Sequence, residues 1–178
     1  MDTSKRIPPE REMYFPKLFT SGYSKTSEED LYNCIAWAAG EEYSDECWCP
    51  YRIGNGYYWP DGLERNAEIE TFVQLYRIKC GYEPCPENSQ KLEAGVEKIA
   101  LYADSKKQIT HVARQLEDGT WTSKLGDWED INHKVLEGLT GNLFLPAYGN
   151  FVRILKRNHQ LKPVLTFSLT KALPASRT

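Results

Sequence analysis

Three runs in the second half of the chain limit its fold more than any other feature. Val96 to Ala103, Ile109 to Leu116 and Thr120 to Lys124 are rich in aliphatic, β-branched and aromatic residues, and polar residues bound each of them. Glu117-Asp118-Gly119 reads as a hairpin turn between the second and third runs, and Asp104 to Lys107 as the turn between the first two. Gly149 to Arg157, with Phe151, Val152, Ile154 and Leu155, predicts a fourth strand, and Val164 to Leu169 suits an added one. Ahead of these runs the pattern is helical. An apolar stretch from Cys34 to Ala39 stops at Gly40, and Glu64 to Lys79 puts Ile69, Phe72, Val73 and Tyr76 on one face. Helices first and an antiparallel sheet after is an α+β layout.

The remaining segments are irregular. Residues 1–26 are polar and proline-marked and read as a surface arm, residues 27–157 as the α+β domain, and residues 158–178 as a C-terminal extension. Glu41 to Gly62 is a long loop carrying Trp48, Tyr51, Tyr57, Tyr58 and Trp59, either a lid on the core or a flap over a groove. Glu129 to Gly138 reads as a short helix or a covering loop. The first helix has two candidate starts, Ser27-Glu28-Glu29-Asp30 or Asn33. Only the second puts Cys34 in the first turn, where the helix dipole lowers a thiol pKa.

Composition excludes several classes. With 178 residues and 40% apolar content, the chain has material for one globular core. A net charge of −3 without a basic stripe makes nucleic acid an unexpected partner. The first residues lack the apolar core of a signal peptide, and no segment reads as long enough to span a bilayer. That points to a cytoplasmic protein, although a non-standard secretion route leaves no such mark. Five cysteines without a leader argue against a disulfide framework. Cys47, Cys49, Cys80 and Cys85 are poorly spaced for zinc, so no metal or organic cofactor is expected. The sequence sets no oligomeric state.

One pairing suggests bond-making chemistry. A thiol opening a helix, with a histidine on a later strand, is the minimal layout of a nucleophile and its base. Cys34 and His111 fit those roles. Ser123, twelve residues past His111, reaches the ring if the hairpin loop has the right parity; one extra loop residue exchanges it for Lys124. Asp127 and Asp130 are more distant alternatives. Asn33 is either a helix cap or an oxyanion donor, and Trp37, Trp48, Trp59, Arg114 and Lys124 are candidate substrate contacts. The bland alternatives are a packed cysteine, a satisfied core histidine and an Arg114 on a solvated sheet face or paired with Asp118. His133 and His159 read as solvated, and Trp121 as packed on a sheet face.

Several stretches carry a resemblance. Asn33 to Gly40 (NCIAWAAG), Tyr58-Trp59-Pro60, Glu70-Thr71-Phe72, Gly81 to Cys85, Glu97 to Ala103, His111 to Leu116, Gly119 to Gly126, Ile131-Asn132-His133 and Tyr148-Gly149 resemble a family of small uncharacterised bacterial proteins, over roughly Asn33 to Arg157. More distantly, the order of a cysteine opening a helix, a histidine opening a strand and a third polar residue a dozen positions on resembles papain-like cysteine peptidases of the bacterial cell-wall endopeptidase branch. That resemblance implies a papain-like domain with Cys34, His111 and Ser123 as its catalytic set. Ser123 stands where those relatives place His, Asn, Gln or Asp, and Ser27 to Tyr32 offer no glutamine for the oxyanion.

The resulting expectation is a thiol-dependent hydrolase or acyltransferase acting on an amide or ester. The alternatives are a catalytically inactive papain-like module that binds a peptide or partner protein through an aromatic cleft, and a bacterial toxin effector or its neutralising partner.

Overall fold

A computed structural model of the chain describes residues 5–28, 31–40, 43, 45–141 and 147–158. Its elements run α1 (Pro9–Glu12), α2 (Leu18–Ser21), β1 (Tyr23–Ser27), α3 (Cys34–Ala39), β2 (Cys47–Trp48), β3 (Tyr57–Tyr58), α4 (Ile69–Cys80), β4 (Glu83–Pro84), β5 (Val96–Ala103), β6 (Ile109–Gln115), β7 (Trp121–Lys124), β8 (Asp130–His133) and β9 (Asn150–Asn158), with 3-10 turns at Pro86–Asn88 and Leu136–Leu139. The fold is α+β. Seven strands form one sheet in the order β1-β8-β7-β6-β5-β9-β4, and every ladder in it is antiparallel.

Alternation along the strands builds two cores. Ile99 and Leu101 on β5, Val112 on β6 and Leu155 on β9 face α3, α4, Trp48 and Trp59. Ala100, Tyr102, Ala113, Trp121, Ile131 and Ile154 face the opposite way, against Ile7, Phe15, Leu18, Leu136 and Leu139. A central strand covered on both sides needs apolar residues at consecutive positions, and β5 is buried from Lys98 to Ala103.

Local signals explain the element ends. Asn33 caps α3: its side-chain oxygen accepts from the Ala36 N–H at 3.1 Å. Gly81 ends α4 in a left-handed conformation, φ 71°, and its N–H returns to the Arg77 carbonyl at 3.0 Å. The hairpin turn forms as read, with Leu116 N–H donating to Thr120 O at 2.8 Å.

Four expectations need correction. Residues 7–18 are not a surface arm, because Ile7, Phe15 and Leu18 are buried and close the second core. Ser27 ends a strand instead of opening a helix. The stretch Glu129 to Gly138 begins as a strand, Asp130 to His133 between β1 and β7, and only its end enters a short 3-10 turn, Leu136–Leu139. The Trp48–Trp59 segment is a lid on the core and not a flap over an open groove, since both indoles are buried. Residues 159–178, with His159 and the suggested strand at 164–169, lie outside the described residues.

Candidate functional site

The α3 helix starts on the first-core side of the sheet. Its Asn33 is a structural hub as well as a cap, accepting from Trp48 N–H at 3.2 Å and donating to Trp48 O at 2.7 Å. These bonds occupy the side chain that was a candidate oxyanion donor. Trp37 stacks on Tyr32 with ring centroids 5.1 Å apart, donates to Thr122 Oγ1 at 3.3 Å, and lies under the Arg114 guanidinium at 4.7 Å. Lys124 is fully buried on this side. Its ammonium donates to Trp128 O, stands 3.9 Å from Asp130 and lies 5.4 Å over the Tyr32 ring, while the Tyr32 hydroxyl donates to Asp130. Trp37, Arg114 and Lys124 are therefore knit together between helix and sheet, whereas Trp48 and Trp59 belong to the core.

Cys34 opens α3 as one of the two readings expected, but in a closed setting. It is 9% exposed, and burial pushes its thiol up to about 11 against the pull of the Val112, Cys34 and Ile35 backbone N–H groups. At neutral pH this thiol is protonated.

His111 faces the second core. It pairs with Tyr102 across β5–β6, so its side chain lies on the second-core face while α3 packs on the face of Val112. The ring is fully buried, edge-on to Tyr102 at 5.5 Å and stacked on Tyr148 at 4.1 Å with the planes 8° apart. Burial, and then His133, hold its pKa well below the ordinary value. Neither ring nitrogen has a hydrogen-bond partner among the described residues, so no thiol–imidazole hydrogen bond is formed.

The hairpin register settles the parity question. Arg114 opposes Thr122 and Gln115 opposes Trp121, which puts Ser123 on the same face as His111 and Lys124 on the other. Ser123 nevertheless serves a different histidine. Its Oγ lies 2.9 Å from His133 Nε2, and His133 Nδ1 lies 3.0 Å from Val135 O. A carbonyl only accepts, so Nδ1 carries the proton and the Ser123 hydroxyl donates to Nε2. His133, expected to be solvated, is 1% exposed, and burial lowers its pKa to about 4.

The feature that composition alone did not reveal is a cavity of about 530 Å³ on the second-core face, lined by Tyr14, Phe15, Leu125, Asp127, Trp128 and Tyr148 among others. Tyr14 and Trp128 have centroids 5.5 Å apart, and Phe15 and Tyr148 5.2 Å. Tyr148 joins this cavity to the predicted pair. Its ring covers His111, and burial raises its phenol pKa, helped by the nearby Cys34 and Asp127. Gly149, φ 80°, sets that ring's position; a Cβ there would come within 2.1 Å of the Ala103 carbonyl oxygen. The Tyr148-Gly149 pair was a visible signal in the sequence. Tyr14 and Phe15 were not, because they belong to the segment read as an arm.

Among the described residues no group of three His, Cys, Asp or Glu side chains gathers to hold a metal, all five cysteines are free, and no helix is long and apolar enough to cross a membrane. Neither the curated proteins nor the solved structures contain a match to the chain. A family model described as a domain of unknown function, DUF7689, matches residues 23–156, and with that span covering most of its length the chain belongs to this family.

Proposed function

We propose that the chain is a binding module that takes a peptide or a segment of a partner protein in the aromatic cavity between residues 14–15 and the β7–β8 turn. The cavity carries this reading. Its volume of about 530 Å³ falls in the range of ligand sites, and four of its eight lining residues are aromatic, with a single carboxylate among the rest. Met13 and Tyr14 are 70% and 57% exposed, so apolar surface continues past the cavity mouth. The thiol, by contrast, is protonated and enclosed, and the imidazole is buried under the Tyr148 ring.

A panel of short peptides of varied composition, titrated against the full chain and followed by Trp fluorescence and by chemical shifts at Tyr14, Trp128 and Tyr148, tests the proposal. Tyr14→Ala removes an exposed ring and should weaken binding without loss of fold. Peptides that bind Tyr14→Ala and Trp128→Leu as tightly as the unaltered chain, or no binding at all, would overturn it.

A second reading has one observation of its own. Cys34 opens a helix and lies near Tyr148, and that ring covers an imidazole with two unpartnered nitrogens. That favours thiol-dependent acyl chemistry in a papain-like arrangement, with Tyr148 displaced so that His111 is freed. Iodoacetamide labelling separates the two readings. Labelling of Cys34 below pH 7 supports the enzyme, and labelling confined to Cys47 and Cys49, which are partly exposed, supports the binder.

A further inference from the structure

The lining of the cavity is more specific than an apolar slot. Tyr14, Phe15, Trp128 and Tyr148 supply four ring systems, and Asp127 adds an exposed carboxylate. Asp127 makes no hydrogen bond or ion pair among the described residues, whereas Glu129, two positions on, is held by Arg11 at 2.6 Å. The rings already attract a cation: the Arg11 guanidinium stands 5.3 Å over Trp128. Aromatic faces draw cations through their quadrupole, and more strongly as water is removed. An aliphatic side chain in the same place would strip water from Asp127 and give it nothing in return. A lysine or arginine lays its methylene stem along the rings and brings a counter-charge to the carboxylate. The net charge of −3 on the chain has the sign that steers a basic segment inward.

We propose that the cavity recognises a basic peptide segment, seating a lysine or arginine side chain among Tyr14, Trp128 and Tyr148 with Asp127 as its counter-ion. This rests on the reading of the cavity as a binding site, and the test below separates the two. An end-capped pentapeptide with central lysine flanked by phenylalanines is titrated against the full chain beside its twin carrying norleucine, which has the same length and no charge. The lysine peptide is expected to bind on the order of tenfold tighter at low salt, with the gap closing as salt is added. Asp127→Asn, at an exposed position that leaves the core untouched, should bring the two peptides to within about threefold of each other.

Equal binding of both peptides, lost in Tyr14→Ala, would overturn the cation assignment and leave the binding module standing. A lysine preference unchanged in both Asp127→Asn and Trp128→Leu would place the basic group elsewhere and overturn it as well. Absence of binding by either peptide, with no effect on the Tyr14, Trp128 and Tyr148 resonances, would sink the inference, and the same silence across the varied panel would sink the binding module with it.

Discussion

Acid should weaken this protein through His133 in a way that one substitution can isolate. The unfolded ring titrates near 6.5, and the folded one, with burial opposing its charge, at about 4. The unfolded state therefore binds the proton more tightly, so the contribution is intact at neutral pH, declines as pH falls through about 6.5, and is fully lost below about 4. The whole difference is about 3 kcal/mol, of which about 2 kcal/mol disappears between pH 7 and pH 5. His111, also held below its ordinary value, adds a loss of the same sign, and protonating either ring raises the cost of charging the other. His133→Gln keeps an acceptor for Ser123 and a donor for Val135 but cannot charge. Urea unfolding of both proteins at pH 7 and pH 5 gives two differences in which carboxylates and His111 largely cancel. The unaltered chain should lose about 2 kcal/mol more than His133→Gln on acidification. If His133→Gln folds poorly, the His133 ring shifts of the unaltered chain carry the same test, staying neutral at pH 5. Equal acid losses in the two proteins, or a ring that titrates near 6.5 in the folded state, would refute the reasoning.

Four further outcomes are expected. Ser123→Ala leaves the buried His133 Nε2 without its donor and should cost about 1–3 kcal/mol in urea unfolding, whereas a role beside His111 would leave stability nearly unchanged and alter the chemistry instead. Asn33→Ala removes the cap of α3 and both bonds to Trp48, so a loss of about 1–2 kcal/mol should come with faster proteolysis in the 45–62 loop. Lys124→Met leaves Asp130 buried beside Tyr32 and should destabilise by about 3–5 kcal/mol, partly recovered in Lys124→Met/Asp130→Leu; equal losses in the two proteins would show that the charges act separately. Gly149→Ala drives a Cβ into the Ala103 carbonyl, so a melting temperature within a degree of the original would mean that Tyr148 is not positioned as described.

The sheet was legible where strand length, alternation and turn chemistry agreed. Val96–Ala103 was read to the residue, because its two apolar faces and both flanking turns point to the same answer. Asp130–His133 does not read as a strand because four residues, three of them polar, give too short a run to show a period, and their burial comes from pairing with β1 and β7. The helix start at Asn33 was one of two readings, and what decides it is tertiary: the same side chain must hold Trp48. For the site, residue types were visible but faces were not. Counting leaves Ser123 or Lys124 on the His111 face until the loop length is known; the register selects Ser123, yet its hydroxyl serves His133, and the sequence shows no reason to bury a histidine in a polar stretch. Trp48 and Trp59 looked like groove walls because loop aromatics are ambiguous until their burial is known.

Consecutive residues of β6 separate the two possible functions. Val112 looks toward α3 in the first core, while His111 looks toward Tyr148 and the cavity. The first arrangement is built wholly within the matched family span, residues 23–156, and the second is not. Tyr14 and Phe15 precede that span, and they supply one wall of the cavity through contacts to Trp128 and Tyr148. Arg11, also outside the span, fastens this wall to the β7–β8 turn by its bond to Glu129. A chain with the family domain but a different leading segment would keep Cys34 and His111 on their elements, yet lose two of the four rings that line the cavity. On the proposed reading, selectivity for an occupant rests on the exposed Tyr14 of the leading segment, whose buried Ile7, Phe15 and Leu18 also help to close the second core. Exchanging Tyr14 should therefore alter which peptides bind far more than it alters stability, as its 57% exposure already requires.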